Sequence, residues 1–244
     1  PVEIALGDVN TDGRLDALVV NANADSVSVL LGNATGTLDA QQTVAVGSLP
    51  TGVGLVDVDS DGNLDILTSS FRDETVNVNF GDGTGSFGSA TTTFAIGDNA
   101  LDMAIADLNN DGRLDFITAN RGGRNVSVGL GNGTGGFAVT NYATNGRPNA
   151  VAVGDINNDG ALDLVATNNN NNSAAILLNN GAGGFGAATT FGIGATPEDV
   201  LLQDINGDGN LDILTSNTGV SQVAIFTGNG AGTFTAQTPL TMAV

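Results

Sequence analysis

The sequence predicts an all-β protein, a β-propeller of five four-stranded blades, on three observations. A nine-residue pattern, Asp-x-Asp/Asn-x-Asp-Gly-x-x-Asp, occurs five times, at residues 8–16, 57–65, 107–115, 155–163 and 204–212. Its copies start 49, 50, 48 and 49 positions apart, and repeats of about 40–50 residues holding several strands point to propeller blades. Each copy is followed at fixed offsets by an apolar run and a glycine-rich turn, and no segment has helical periodicity. Five consecutive blades of a larger, seven-bladed ring would fit the same pattern.

Each repeat reads as four strands. A short apolar strand runs into the nine-residue loop, as at 4–6, 53–56, 103–106, 151–153 and 200–202. A second strand leaves it as a near-continuous apolar run, such as 15–20 or 64–68, suited to burial on both faces. The third alternates, with Val27/Val29/Leu31, Val76/Val78/Phe80 and Val126/Val128/Leu130. That pattern predicts one packed face and one less packed. A turn of the type Gly-Asn-Gly-Thr-Gly-x-Phe follows, and its Asn-Gly and Asp-Gly pairs supply the positive φ of tight hairpins. The residue closing it, Leu38, Phe87, Phe137, Phe185 or Phe234, is expected to anchor one blade on another. A looser, Thr-rich fourth strand is expected at 42–46 and 90–96. The units are therefore 1–47, 48–97, 98–145, 146–194 and 195–244, forming a single domain over 1–244. Head to tail, the two ends reproduce a repeat without a gap. The chain opens on Pro1 and is expected to be a mature or excised part of a larger chain or assembly.

The formal net charge of −20 comes from 26 acidic residues against 6 Arg, and 16 of the acids lie inside the five loops. Acidity is thus mostly a property of the loops, and it argues against binding nucleic acid phosphates. There is no Cys, which excludes disulfides and thiolate metal sites. His is also absent, removing the common nucleophile–base pairs, so an enzyme is not expected. A carboxylate-pair mechanism using Asp73, Glu74, Asp98, Asp102, Glu198 or Asp199 has no further support. No apolar run reaches membrane-spanning length.

Three or four carboxylates within nine residues repel one another unless a cation holds them. A hard, oxygen-seeking ion is required, and Ca²⁺ is the usual one. Alternate positions of a tight loop point to one centre, and the Gly at position six permits the bend. Position seven is Arg14, Asn63, Arg113, Ala161 and Asn210. Such indifference to side chain suits a backbone carbonyl ligand. An EF-hand needs Glu at position twelve and flanking helices. Here that position is Val19, Thr68, Thr118, Ala166 and Thr215, with strands on either side. Asx turns alone do not account for five copies in register.

Loop, strand and G-x-G-x-[FL] turn together resemble the FG-GAP/VCBS repeat found in the integrin α-subunit propeller. The resemblance covers essentially the whole chain and departs from the integrin-like pattern in number, since those rings have seven blades. It implies one calcium ion per loop, five in all, held by the side chains at positions one, three, five and nine. These are Asp8, Asn10, Asp12 and Asp16; Asp57, Asp59, Asp61 and Asp65; Asp107, Asn109, Asp111 and Asp115; Asp155, Asn157, Asp159 and Asp163; and Asp204, Asn206, Asp208 and Asp212. It also implies an adhesion or protein-interaction role at the cell surface or outside the cell.

In an up-and-down blade, the loops and the glycine-rich turns emerge on one face and vary little. The opposite face carries connections that differ from repeat to repeat, and recognition commonly sits on such loops. Arg72, Arg121, Arg124 and Arg147 fall there and could meet a carboxylate or sulfate. A protein or glycan partner is expected on that face. A structural subunit of an extracellular fibre or surface assembly is the alternative. A carbohydrate-binding propeller is a weaker one, because the chain has no Trp and a single Tyr, Tyr142.

Overall fold

A computed structural model describes residues 1–89 and 92–242 and contains five antiparallel meanders, each strand paired with the next. The first is β1 (Glu3–Gly7), β2 (Asp16–Asn21), β3 (Ser26–Leu30) and β4 (Gln42–Ala45). The second is β5 (Pro50–Val56), β6 (Asp65–Ser70), β7 (Thr75–Asn79) and β8 (Thr92–Ala95). The third is β9 (Ala100–Ala106), β10 (Asp115–Asn120), β11 (Asn125–Gly131) and β12 (Phe137–Ala143). The fourth is β13 (Pro148–Gly154), β14 (Asp163–Asn168), β15 (Ser173–Leu177) and β16 (Thr189–Gly192). The fifth is β17 (Pro197–Gln203), β18 (Asp212–Asn217), β19 (Gln222–Gly228) and β20 (Phe234–Ala236), with β21 (Leu240–Thr241) also on β19. Of the fourth strand expected over 90–96, residues 90–91 lie outside the described residues, as do 243–244 of the last unit. No helix among the described residues is long and apolar enough to cross a membrane.

The first strands of sheets two to five start about three residues earlier than their apolar cores suggest. A register shift near their start lets pairing continue past it, as between Pro50 and Gly52.

The core lies between sheets. Four apolar clusters fill the four contacts between consecutive sheets, and the inner strands β1, β5, β9, β13 and β17 pack side by side in that order. The first residue after each turn is the inter-blade anchor in sheets two to five. Phe137 meets Phe94 of the preceding sheet edge-on at 5.2 Å, Phe185 meets Tyr142 at 5.3 Å, and Phe234 stacks on Phe191 at 5.9 Å.

The third strands differ from the expectation. In sheets one to four they are buried on both faces nearly throughout, and in sheets two to four the polar face also packs on the preceding sheet. Its buried groups are bonded there: Ser127 Oγ accepts the Gly97 N–H at 2.9 Å, and Asn79 Nδ2 donates to Ala45 O at 3.3 Å. Alternation records chemistry here, apolar against polar, and not exposure.

A second contact joins inner strands. Val53 N–H donates to Glu3 Oε2 and Val151 N–H to Asp102 Oδ2, each at 2.9 Å. Burial pushes the Glu3 carboxyl from its ordinary 4.5 up to about 7, with the Asp102 charge adding to the rise and the Val53 N–H opposing it. A carboxyl raised on folding contributes stability that is present below its unfolded value and lost as pH climbs through the folded one. Glu3→Gln keeps an acceptor for Val53 and removes the buried charge. Thermal melts should find this variant more stable than the parent at pH 8.5 and nearly equal to it at pH 4.5. An identical difference at both pH values would contradict the assignment.

Candidate functional site

All five loops have one backbone conformation. Position four is left-handed in each, at Thr11, Ser60, Asn110, Asn158 and Gly207, with φ between 56° and 77°. Position six is glycine at φ between 82° and 91°. A Cβ on any of these position-six glycines would meet nothing within 4 Å, so the requirement is conformational rather than steric.

This path turns successive N–H groups inward onto the carboxylates. In the third loop Asp107 accepts the N–H of Asp111 at 3.2 Å and of Gly112 at 2.8 Å. Asn109 Oδ1 accepts Asp111 N–H at 3.0 Å, and Asp111 Oδ1 accepts Arg113 N–H at 2.9 Å. The same four bonds recur in the other loops.

The carboxylate at position nine stands apart. Asp16, Asp65, Asp115, Asp163 and Asp212 are essentially inaccessible to solvent. Asp115 accepts Leu108 N–H with Oδ2 and Gly131 N–H with Oδ1, both at 2.8 Å. Equivalent pairs hold in every blade. Position nine therefore pins the loop to the glycine-rich turn of its own blade, a role the sequence reading did not assign. Burial pushes Asp65 up to about 6 and raises Asp115 and Asp163, against the pull of those two N–H donors. Asp204, at position one of an exposed loop, is lowered instead, chiefly by the Gly209 N–H.

Position seven is less indifferent than its composition suggests. Arg14 and Arg113 pair with Asp12 and Asp111, and Asn63 and Asn210 donate to Asp61 and Asp208. Only Ala161 makes no such bond. Asp57, Asp59 and Asp61 bring carboxylate oxygens within 4.8 Å of one another, the single such trio among the described residues. The other loops carry Asn at position three, and its amide donates to the position-five carboxylate, as Asn109 does to Asp111 at 3.1 Å.

On the face opposite, Arg121 and Arg147 line one pocket of about 310 Å³ with Phe71, Asn99 and Gly122. Arg72 and Arg124 lie outside that lining. All four are exposed, and none has a carboxylate within 4.0 Å among the described residues.

Asp115→Ala leaves the two buried N–H groups of Leu108 and Gly131 unpaired, at about 1–3 kcal/mol each. Asp111→Ala disturbs an exposed loop. In excess chelator the first variant should lose about 2–5 kcal/mol in denaturant titration and the second less than about 1 kcal/mol. Equal losses would refute the division of roles.

The FG-GAP-like repeat family matches residues 8–68, 57–118, 107–166 and 155–215. Each match starts on the first Asp of a loop and ends within the second strand of the following blade. No curated protein sequence matches the chain. Among solved structures, a protein from Lactobacillus plantarum is similar at a TM-score of 0.73 and 14% identity, over 99% of this chain and 71% of its own. A functionally unknown protein from Desulfotomaculum acetoxidans DSM 771 is similar at 0.69 and 14%, over 98% and 69%. A chain in the structure of BBS1N in complex with ARL6DN is similar at 0.69 and 9%, over 98% and 67%. These likenesses establish the fold.

Proposed function

The chain belongs to the FG-GAP-like repeat family of β-propellers, and we propose that it is a calcium-braced interaction module of the cell exterior. In this reading the five loops hold five calcium ions and the opposite face meets a protein or glycan. The observation that carries it is the donor set: every loop converges oxygens and no nitrogen or sulfur acceptor, the set a hard divalent cation requires. The residues at positions one, three and five would supply side-chain oxygens, and position seven its carbonyl. The position-nine carboxylates already accept two N–H bonds each and retain a second lone pair per oxygen for an ion. The Asp57, Asp59 and Asp61 trio is the most charged and should bind most tightly.

The calcium itself would neutralise the loop carboxylates. The chain's own part is to pre-form the loop through the position-one and position-nine bonds, so that little ordering remains on binding. Nothing in the donor set calls for a reaction, and the role proposed is binding without catalysis.

The ring is proposed to be larger than five blades. β17 does not pack on β1 as the other inner strands pack on each other, among the described residues. The chain spans about five sevenths of the similar solved structures.

At ten times Kd each occupied site adds about 1.4 kcal/mol by mass action, so five add about 7 kcal/mol, the scale of a whole domain's stability. Melts with Ca²⁺ and with EGTA should differ strongly, and a midpoint indifferent to chelation would sink the calcium assignment. On the other face, Arg121→Ala with Arg147→Ala should leave the calcium-loaded melt unchanged, because these arginines make no ion pair among the described residues. Binding of a carboxylate- or sulfate-bearing probe should fall at least tenfold in the double variant. Unaltered affinity would remove the two arginines from the partner surface.

A further inference from the structure

The five loops differ most at positions four and seven. Position four of one loop faces position seven of the next across the seam between their blades, beside the third residue of the next turn. Where blade four meets blade five, the seam is bridged directly. Asn158 Nδ2 donates to Asn210 Oδ1 at 2.9 Å, and a Cβ on Gly230 would lie 2.4 Å from the first atom and 2.3 Å from the second. Where blade two meets blade three, the same places hold Ser60, Arg113 and Gly133. A Cβ on Gly133 would lie 2.7 Å from Arg113 Nε and 3.5 Å from Ser60 Oγ. No bond joins Ser60 to Arg113 among the described residues, and a pocket of about 270 Å³ lies between the two loops.

The lining of this pocket is of two kinds. Val56, Val58 and Leu114 form an apolar wall, and Ser60, Arg113 and Asp57 are polar. Arg113 is loosely held. Its Nη1 reaches Asp111 Oδ2 at 3.5 Å, and its Nε and Nη2 have no partner among the described residues. Arg14, at the same position of the first loop, is held at two points, since it pairs with Asp12 and donates Nε to Gly32 O at 3.1 Å. Arg113 is thus the position-seven arginine with donors to spare, and it stands at a cavity.

We propose that the seam between loops two and three binds a small carboxylate carried on a short apolar stem. The guanidinium supplies two parallel N–H donors to a carboxylate, and the Ser60 hydroxyl supplies another. The stem lies on Val56, Val58 and Leu114. The pocket falls just below the roughly 300–1,000 Å³ of drug-sized sites, so it suits a small acid. Sulfate would meet the same donors and leave the apolar wall uncovered. Asp57 lines the pocket and opposes an anion at close range. The inference therefore rests on the calcium reading: an ion in loop two offsets Asp57, and an ion in loop three draws Asp111 away from Arg113. Acid and calcium are then coupled, each tightening the other. The carboxylate is that of a free acid or of an acidic side chain on a partner protein, and both present the same chemistry.

The test uses Arg121→Ala with Arg147→Ala as background, so that the pocket on the opposite face adds nothing. Calcium is titrated first by calorimetry, and propionate is then titrated into the loaded chain by NMR. One propionate should bind, shifting the Arg113 Nε–H and the Leu114 methyls, and EGTA should weaken it by about tenfold. Adding Arg113→Ala should weaken it by about tenfold or more. S60N/R113N copies the bridge between Asn158 and Asn210, uses residues already found at both positions in other loops, and should abolish binding while the melt shows a folded chain. Propionate bound equally well by either variant would overturn the site. Calcium bound without propionate would sink this inference alone, whereas no calcium bound would sink the calcium reading and this inference with it. Sulfate bound as tightly as propionate would overturn the apolar stem. N-acetylglutamic acid α-amide bound more tightly than propionate assigns the site to a partner's side chain, and weaker binding assigns it to a free acid.

Discussion

The rest of the structure depends on a buried carboxylate repeated once per blade. Asp16, Asp65, Asp115, Asp163 and Asp212 each accept an N–H from the second residue of the loop and another from the start of the glycine-rich turn. A charged acceptor with two donors is stronger than a neutral bond, and removing it strands both donors in a dry site. These bonds hold together two connections sixteen residues apart in sequence, which gives each blade one rigid end. Burial drives the carboxyls of Asp65, Asp115 and Asp163 upward, so the clamp carries an electrostatic cost. A cation in the loop would offset that cost, which links the architecture to the proposed chemistry.

The clamp also sets how blades meet. It holds the second loop residue in place, and Val9, Val58, Leu108 or Ile156 then projects into the next interface. Burying one such side chain is worth about 1.5–3 kcal/mol. The following blade's turn closes over it. Gly85, Gly135 and Gly232 donate to the carbonyls of Val9, Val58 and Ile156, and Asn179 Nδ2 substitutes by donating to Leu108 O at 2.7 Å. Loop, turn and anchor are thus one device, used four times.

In the proposed reading, function divides between the two ends of the blades. The loop end is uniform because its parts serve the clamp and the inter-blade contact, and in that reading the oxygen cage as well. The other end is free to vary, and there Arg121 and Arg147 face one pocket, with no carboxylate within 4.0 Å among the described residues, in a chain of net charge −20. Guanidinium groups left unpaired in so acidic a chain are suited to an acidic group from outside.

The sequence by itself determined the repeat, the four strands of each unit, the loops and the aromatic anchors. Those follow from local rules: periodicity, positive-φ glycines and the residue types that oxygen coordination needs. Asp-x-Asn-x-Asp-Gly is legible because its bonds close within nine residues. What only the tertiary structure decided involves residues far apart in the chain. The clamping role of position nine needs the turn sixteen residues away. The burial of the third strand's polar face depends on partners distant in the chain, such as Gln41 for Ser28 and Gly97 for Ser127, so alternation alone misled. Arg121 and Arg147, which come from different connections, share a pocket, while Arg72 and Arg124 lie outside it. The head-to-tail continuity of the repeat suggested a ring of five. Five similar sequences can line an arc or a circle, and how closely blades approach within the chain is set by small residues such as Gly54, which leaves room for Ile105 of the next blade.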